Sequence, residues 1–232
     1  MSAGRKFSSP TLSLMSRLIF QPNETILFVG DSITDCGRRG AHAPYGNGYV
    51  RIIFDWLEAG YADHNLKIIN RGIAGDTSRN LVTRWDKDVA REKPDWLIIK
   101  IGINDVWRFL DKHHTEAVSV GEFEQNYRTM LNWLRPRPAG PNQRKTGLIL
   151  VEPFLIEPDS NDIFRKMVER YQEVVQELAA EYETRLVCLQ GLFDQAMDAR
   201  PPKYWAEDRV HPTHIGHTLI AREILNVCGY GL

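Results

Sequence analysis

The chain has 232 residues, 43% of them hydrophobic, with a formal net charge of -1 and an isoelectric point near 6.7. That length buries a sizeable core and suits one large α/β domain better than two small ones. Near-neutral charge without a long basic run argues against nucleic acid or an acidic membrane surface as a partner, and no apolar run reaches the length of about 18 residues needed for a membrane span.

The first residues carry an Arg5-Lys6 pair, as a secretory signal would. Ser8, Ser9, Pro10, Thr11, Ser13 and Ser16 interrupt the apolar core such a signal needs, and Arg17 follows it. Residues 1–24 therefore read as an extension laid on the surface or against a partner, and 25–232 as a single domain. "TILFVG" (Thr25 to Gly30) is strand-like, and "YVRIIFDWLEAGY" (Tyr49 to Tyr61) has its apolar residues at helical spacing. "KIINRGI" is a second strand. "SRNLVTRWDKDVARE" is a second helix with Ser78 as its expected N-cap. "DWLIIKIG" is a third strand, and "VGEFEQNYRTMLNWLR" a helix leading into the Pro/Gly-rich loop "PRPAGPNQRKTG". "LILVEP", "DIFRKMVERYQEVVQELAAEYE" and "RLVCLQ" follow as strand, long amphipathic helix and strand. A last helix over His214 to Val227 is stopped by Gly229.

Five strand–helix alternations with near-continuous aliphatic strands predict a three-layer α/β/α sandwich. Its sheet is a doubly wound, five-stranded parallel one of flavodoxin-like type. Three scattered cysteines, Cys36, Cys188 and Cys228, do not make a disulfide framework; they fit a reducing, cytoplasmic setting.

Ligands of such sheets bind beyond the carboxyl ends of the strands, so the residues there carry the functional signal. Gly30-Asp31-Ser32 follows the first strand, "RGIAGDTS" the second and "GINDVW" the third, while "EDRVHPTHIGH" precedes the last helix. A serine hydroxyl needs a base, and His211 supplies one; Asp208, three residues earlier, is spaced to hold its imidazole. The amides of Ser32 and Gly75 and the side chain of Asn104 offer three donors to an oxyanion. Taken singly, Ser32 also reads as a helix cap, Asn104 as a turn residue and Gly75 as a loop glycine. Asp31 and Asp105 read as carboxylates that hold their loops by accepting backbone N–H groups.

The four blocks together resemble the signature of the SGNH (GDSL-type) hydrolases. The wording "FVGDSITDCGR", "IGINDVWR" and "DRVHPTHIGH" is most similar to the acetylxylan-esterase-like, carbohydrate-deacetylating branch. The resemblance spans about Ile26 to Ala221. It implies Ser32 as nucleophile, Asp208 and His211 as its partners, and the Ser32 amide, Gly75 amide and Asn104 side chain as an oxyanion hole. It also implies an oligosaccharide or other small ester substrate, no metal or other cofactor, and a homo-oligomer. In that branch a tryptophan stands directly before the aspartate; here the position is Glu207, with Trp205 two places earlier. Asp31, Tyr45, Trp107, Tyr204 and Trp205 are candidates for substrate contact, the aromatics because flat rings suit sugars and acyl chains.

The remaining histidines read as bystanders: His214 and His217 at the start of the last helix, with His217 a surface or capping residue, and His113 and His114 in a solvated loop. Cys36 reads as a buried or loop thiol. Two rival readings stand beside the esterase. Asp31, Asp35, Asp76, Asp105 and His211 form a carboxylate-rich set of the kind metal-dependent phosphohydrolases use. The same fold would also serve as a non-catalytic sugar-binding module.

Overall fold

A computed structural model describes residues 18–111, 113–134 and 146–231. Most of the expected N-terminal extension and nearly all of the expected Pro/Gly-rich loop lie outside these residues. Where the extension comes into view, Leu18 and Phe20 are buried in the core rather than laid on the surface, and the Phe20 ring meets Trp96 edge-on at 5.5 Å.

The chain alternates β1 (Thr25–Gly30), α1 (Ser32–Asp35), α2 (Tyr49–Tyr61), β2 (Lys67–Asn70), α3 (Ser78–Thr83), β3 (Trp96–Lys100), α4 (Ile103–Trp107), α5 (Val120–Leu134), β4 (Gly147–Val151), α6 (Ile163–Glu181), β5 (Arg185–Val187), α7 (Gln190–Ala199), α8 (Pro202–Trp205) and α9 (His214–Val227). All five strands run parallel in the order β2-β1-β3-β4-β5, the doubly wound arrangement expected from the alternation. Helices α2 and α9 pack together, and so do α3, α5 and α6. The central strands are aliphatic because both faces are covered: Ile26 to Val29, Leu97 to Ile99 and Ile149 to Val151 are all buried.

Register decides where the strands deliver their loops. Gly30 pairs with Lys100, Lys100 with Val151 and Val151 with Val187. These carboxyl ends lie abreast, so Asp31-Ser32 and the Gly102–Asp105 turn leave the sheet side by side.

Three elements differ from expectation. The segment read as one helix from Ser78 breaks at Arg84 and resumes as a π-turn over Asp86–Ala90. Its N-cap is Thr77, which forms a reciprocal capping box with Asn80. Ser78 instead directs its N–H (3.0 Å) and hydroxyl to the buried carboxylate of Asp105. The strand read through Gln190 ends at Val187, and α7 follows unforeseen. Its first residue, Gln190, is buried; its amide oxygen accepts from Leu155 N (2.9 Å) and its amide nitrogen donates to Leu155 O (2.8 Å).

The break at Arg84 has a purpose visible in its contacts. Its guanidinium, only 12% exposed, donates to Asp76 (2.6 Å), Asp88 (2.8 Å), the Arg71 carbonyl (2.7 Å) and the Gly30 carbonyl (3.1 Å). One side chain thus ties the ends of β1 and β2 to the loop that carries Gly75. Removing one member of such a buried, hydrogen-bonded ion cluster strands the others, at a cost of about 3–5 kcal/mol. Arg84→Met should lower the unfolding free energy by about that amount, read as an earlier urea midpoint.

Asp105 adds a pH dependence. Burial pushes its carboxyl up to about 7, although the Ser78 donors favour the charged form. A group held above its unfolded value contributes stability that is complete below about pH 4 and is lost as the pH climbs towards 7. The melting temperature of the wild type, measured against Asp105→Asn, should therefore decline across that window; parallel curves for the two proteins would refute it.

Candidate active site

Ser32 is the first residue of a single helical turn. Asp31 caps that turn through its Oδ1, which accepts from Ile33 N at 2.9 Å. Cys36 closes it in the left-handed region (φ 41°), its N–H donating to the Ser32 carbonyl. The cap is therefore Asp31, which leaves the Ser32 side chain free. Its hydroxyl lies 3.0 Å from His211 Nε2, and His211 Nδ1 lies 2.7 Å from Asp208 Oδ2. The other carboxylate oxygen of Asp208 accepts the backbone N–H groups of Val210 (3.1 Å) and His211 (2.8 Å). Burial alone would raise the Asp208 pKa, but these donors, the imidazole first, hold it below the ordinary carboxylate value. An ionised Asp208 fixes a proton on Nδ1 and leaves the Nε2 lone pair facing Ser32.

Two loops meet this chain of three. Gly75 sits at φ +84°, a backbone that side-chain-bearing residues rarely adopt. Its carbonyl is held by Arg108 at 3.4 Å. Asn104, almost wholly buried, donates one amide hydrogen to the Asp76 carbonyl at 2.9 Å and keeps its second. Among the described residues neither the Ser32 nor the Gly75 amide has an acceptor. Gly72 packs against the serine turn so closely that a Cβ there would sit 2.3 Å from Asp35 N.

The expected substrate contacts divide. The Trp107 ring lies 6.0 Å from that of His211 and 6.3 Å from Phe164, a wall beside the histidine. Tyr204 is exposed and meets Trp205 edge-on at 5.0 Å, and Trp205 Nε1 donates to the Arg200 carbonyl. The Tyr45 ring stacks on Phe54 at 4.2 Å. Asp31 cannot touch a ligand, because its side chain is fully buried with Lys100 Nζ at 3.6 Å. The carboxylates of the metal reading do not converge: Asp31 faces Lys100, Asp35 pairs with Arg39, Asp76 with Arg84, and Asp105 takes Ser78.

His217 is a correction. It is buried rather than on the surface; Tyr49 N donates to its Nδ1 (3.2 Å) and Cys36 Sγ lies 3.2 Å from its Nε2. Because Nδ1 accepts, the ring proton of the neutral form is on Nε2 and points at the sulfur. Burial, reinforced by the cations around it, pushes the imidazole down to about 3, and burial pushes the Cys36 thiol up to about 12. The pair is inert packing behind Ser32. His214 is exposed on the first turn of α9 and His113 and His114 are exposed in their loop, as expected.

Arg84, Arg108 and Lys100 were not foreseen as parts of the site. Lys100 had the only readable signal, a lone cation closing an otherwise apolar strand. It is fully buried over the Phe154 ring at 5.0 Å, and burial pushes its pKa down against the pull of Asp31.

The chain is similar to known proteins along most of its length. The GDSL-like Lipase/Acylhydrolase family profile matches residues 28–219. The chain is 37% identical over 217 residues to an acetylxylan esterase of Geobacillus stearothermophilus, covering 89% of this chain and 94% of that one. It superposes on the crystal structure of an acetylxylan esterase from the same organism with a TM-score of 0.85 at 36% identity, over 93% of this chain and 98% of that one. An α/β hydrolase from the metagenome of Lake Arreo, Spain, matches with a TM-score of 0.84 at 32% identity, over 92% and 99%. The chain is a carboxylic ester hydrolase and belongs to the GDSL-like lipase/acylhydrolase family.

Proposed function

We propose that this protein is a serine esterase that removes acetyl groups from carbohydrate. The observation that carries the proposal is the hydrogen-bonded series Ser32–His211–Asp208, with contacts of 3.0 and 2.7 Å. The Geobacillus stearothermophilus acetylxylan esterase supports it. Catalytic mutants of that enzyme replace a serine, an aspartate and a histidine with alanine, in the order and at the spacing of Ser32, Asp208 and His211.

In this mechanism His211 Nε2 takes the Ser32 proton as Oγ attacks the acetyl carbonyl carbon. The oxyanion collects N–H donors from Ser32, Gly75 and the free amide hydrogen of Asn104. As the tetrahedral species collapses, His211 returns the proton to the departing sugar oxygen and leaves Ser32 acetylated. A water then loses its proton to His211 and attacks the acetyl-enzyme; as acetate departs, His211 returns that proton to the Ser32 oxygen. Asp208 stays ionised throughout and stabilises the imidazolium.

Burial separates the two sides of the reacting bond. Asn104 is buried, whereas the side chains of His211 and Asp208 are 40% and 46% exposed. The proton-transfer side, at His211 and Asp208, is open to solvent, which suits a large alcohol leaving group.

Ser32→Ala should cut deacetylation of acetylated xylo-oligosaccharide by about a million-fold with an unchanged melting temperature. Wild-type turnover in that variant would refute the mechanism. Asn104→Ala should lower kcat by about a hundred- to a thousand-fold with little change in KM, because an oxyanion donor acts in the transition state.

A further inference from the structure

Along the open edge of the sheet, beside β2, lies a pocket of about 290 Å³ whose lining includes Arg38, Pro44, Lys67, Asn70, Arg71 and Glu92. Its charge is lopsided, with three cations against one carboxylate. Arg71 pairs with Glu92. Arg38 donates its Nε to the Gly72 carbonyl at 2.6 Å, and neither it nor the exposed Lys67 has a carboxylate within ion-pair distance among the described residues. Asp35, close to Arg38 in sequence, is already occupied by the Arg39 guanidinium (3.1 Å) and by the amides of Arg38 (3.2 Å) and Ala74 (3.1 Å). Burial pushes the Arg38 pKa down; Asp35 opposes this, and the cations Arg39, Arg71 and Arg84 add to it.

Backbone donors join the cations. β2 is an edge strand. The Lys67 and Arg71 amides turn inward to Glu24 O (2.9 Å) and Phe28 O (2.8 Å), so alternation points the Ile68 and Asn70 amides outward. The walls are preformed: Asn70 Nδ2 donates to the carbonyls of Thr34 (2.7 Å) and Tyr45 (2.8 Å). The upper end of the pocket abuts the serine turn, since Arg38 follows that turn and grips Gly72, which packs on Asp35. From there β2 runs down the edge for ~13 Å to Lys67.

Guanidinium forks and free amides recognise planar oxyanions, and the volume is that of a sugar-sized group. We propose that this pocket is an anion subsite for the carboxylate of a uronic acid residue, which makes the preferred substrate an acidic, acetylated oligosaccharide. The inference rests on the acetylesterase reading for its substrate but has a binding test of its own.

Calorimetric titration of the full chain with D-glucuronate should saturate, and neutral xylose over the same range should not. Lys67→Glu should weaken glucuronate at least tenfold, and Glu92→Gln, which removes the pocket's carboxylate, should strengthen it. Both variants should keep wild-type turnover of p-nitrophenyl acetate. On acetylated xylo-oligosaccharides the wild type should prefer those bearing a glucuronic acid branch, and Lys67→Glu should lose that preference. Absence of saturable glucuronate binding, binding indifferent to Lys67→Glu, or binding of inorganic phosphate without glucuronate would each overturn the assignment. A wild type that cleaves no ester would instead overturn the acetylesterase reading and leave the glucuronate titration interpretable.

Discussion

The site depends on one half-buried guanidinium. Glycines have no side chain through which to be held, so their position is set through neighbouring groups and backbone carbonyls. Arg84 does this for the carbonyls of Gly30 and Arg71, while its charge is balanced by Asp76 and Asp88. Asp76 in turn belongs to the Gly75 loop, and its carbonyl receives Asn104. The strand carrying the serine, the loop with the free glycine amide and the turn bearing Asn104 are thereby held relative to one another by a short series of charge-assisted bonds. A helix running unbroken through Arg84 would not need this; its interruption there is the local departure from regularity that the site requires.

Beneath the serine lies a second polar layer with a different task. Asp31, Lys100, His217 and Cys36 are all removed from bulk water to some degree; burial pushes the Lys100 and His217 pKa values down and that of the Cys36 thiol up. His217 illustrates the point. It shares α9 with His214 and lies six residues from His211, yet its Nδ1 is committed to Tyr49 N and its neighbour is a thiol. His211 faces solvent on one side, an ionised carboxylate on another and a hydroxyl on the third. Three histidines in seven residues differ in chemistry because of what surrounds them.

The legible part of this protein was the part encoded locally. Aliphatic runs gave the strands, and α2 and α9 have the boundaries their periodicity predicted. Ser32, Asn104, Asp208 and His211 could be picked out because each stands at a strand end or just before a helix, where side chains reach the site edge. Arg84, Lys100 and His217 were opaque for the opposite reason. Arginine in an amphipathic helix, lysine at the end of a strand and histidine near a helix start all have ordinary surface readings. Only the packing of segments far apart in sequence turns them inward. Asp31 was legible as a carboxylate that holds its loop through a backbone N–H, but not as the partner of a lysine 69 positions away, which removes it from substrate contact. The helix at Gln190 was hidden because the apolar Val187, Cys188 and Leu189 directly before it read as a strand carried through to Gln190.

Substrate choice in this arrangement is a property of the rim rather than of the reacting centre. The serine, its donors and the Gly75 loop are fixed by buried bonds, and a change there alters chemistry before it alters preference. Around His211 and Asp208 stand the half-buried Trp107 beside the histidine, the half-buried Trp205, and the exposed Tyr204 and Glu207, the last donating its N–H to the His211 carbonyl at 3.0 Å. A carboxylate at Glu207 next to the ionised Asp208 makes that side of the rim negative, whereas Arg38, Lys67 and Arg71 make the β2 edge positive. An anionic saccharide approaching the serine meets repulsion on one flank and attraction on the other. Under the proposed uronate subsite, that asymmetry orients an acidic saccharide along the sheet edge with its acetylated hydroxyl at His211.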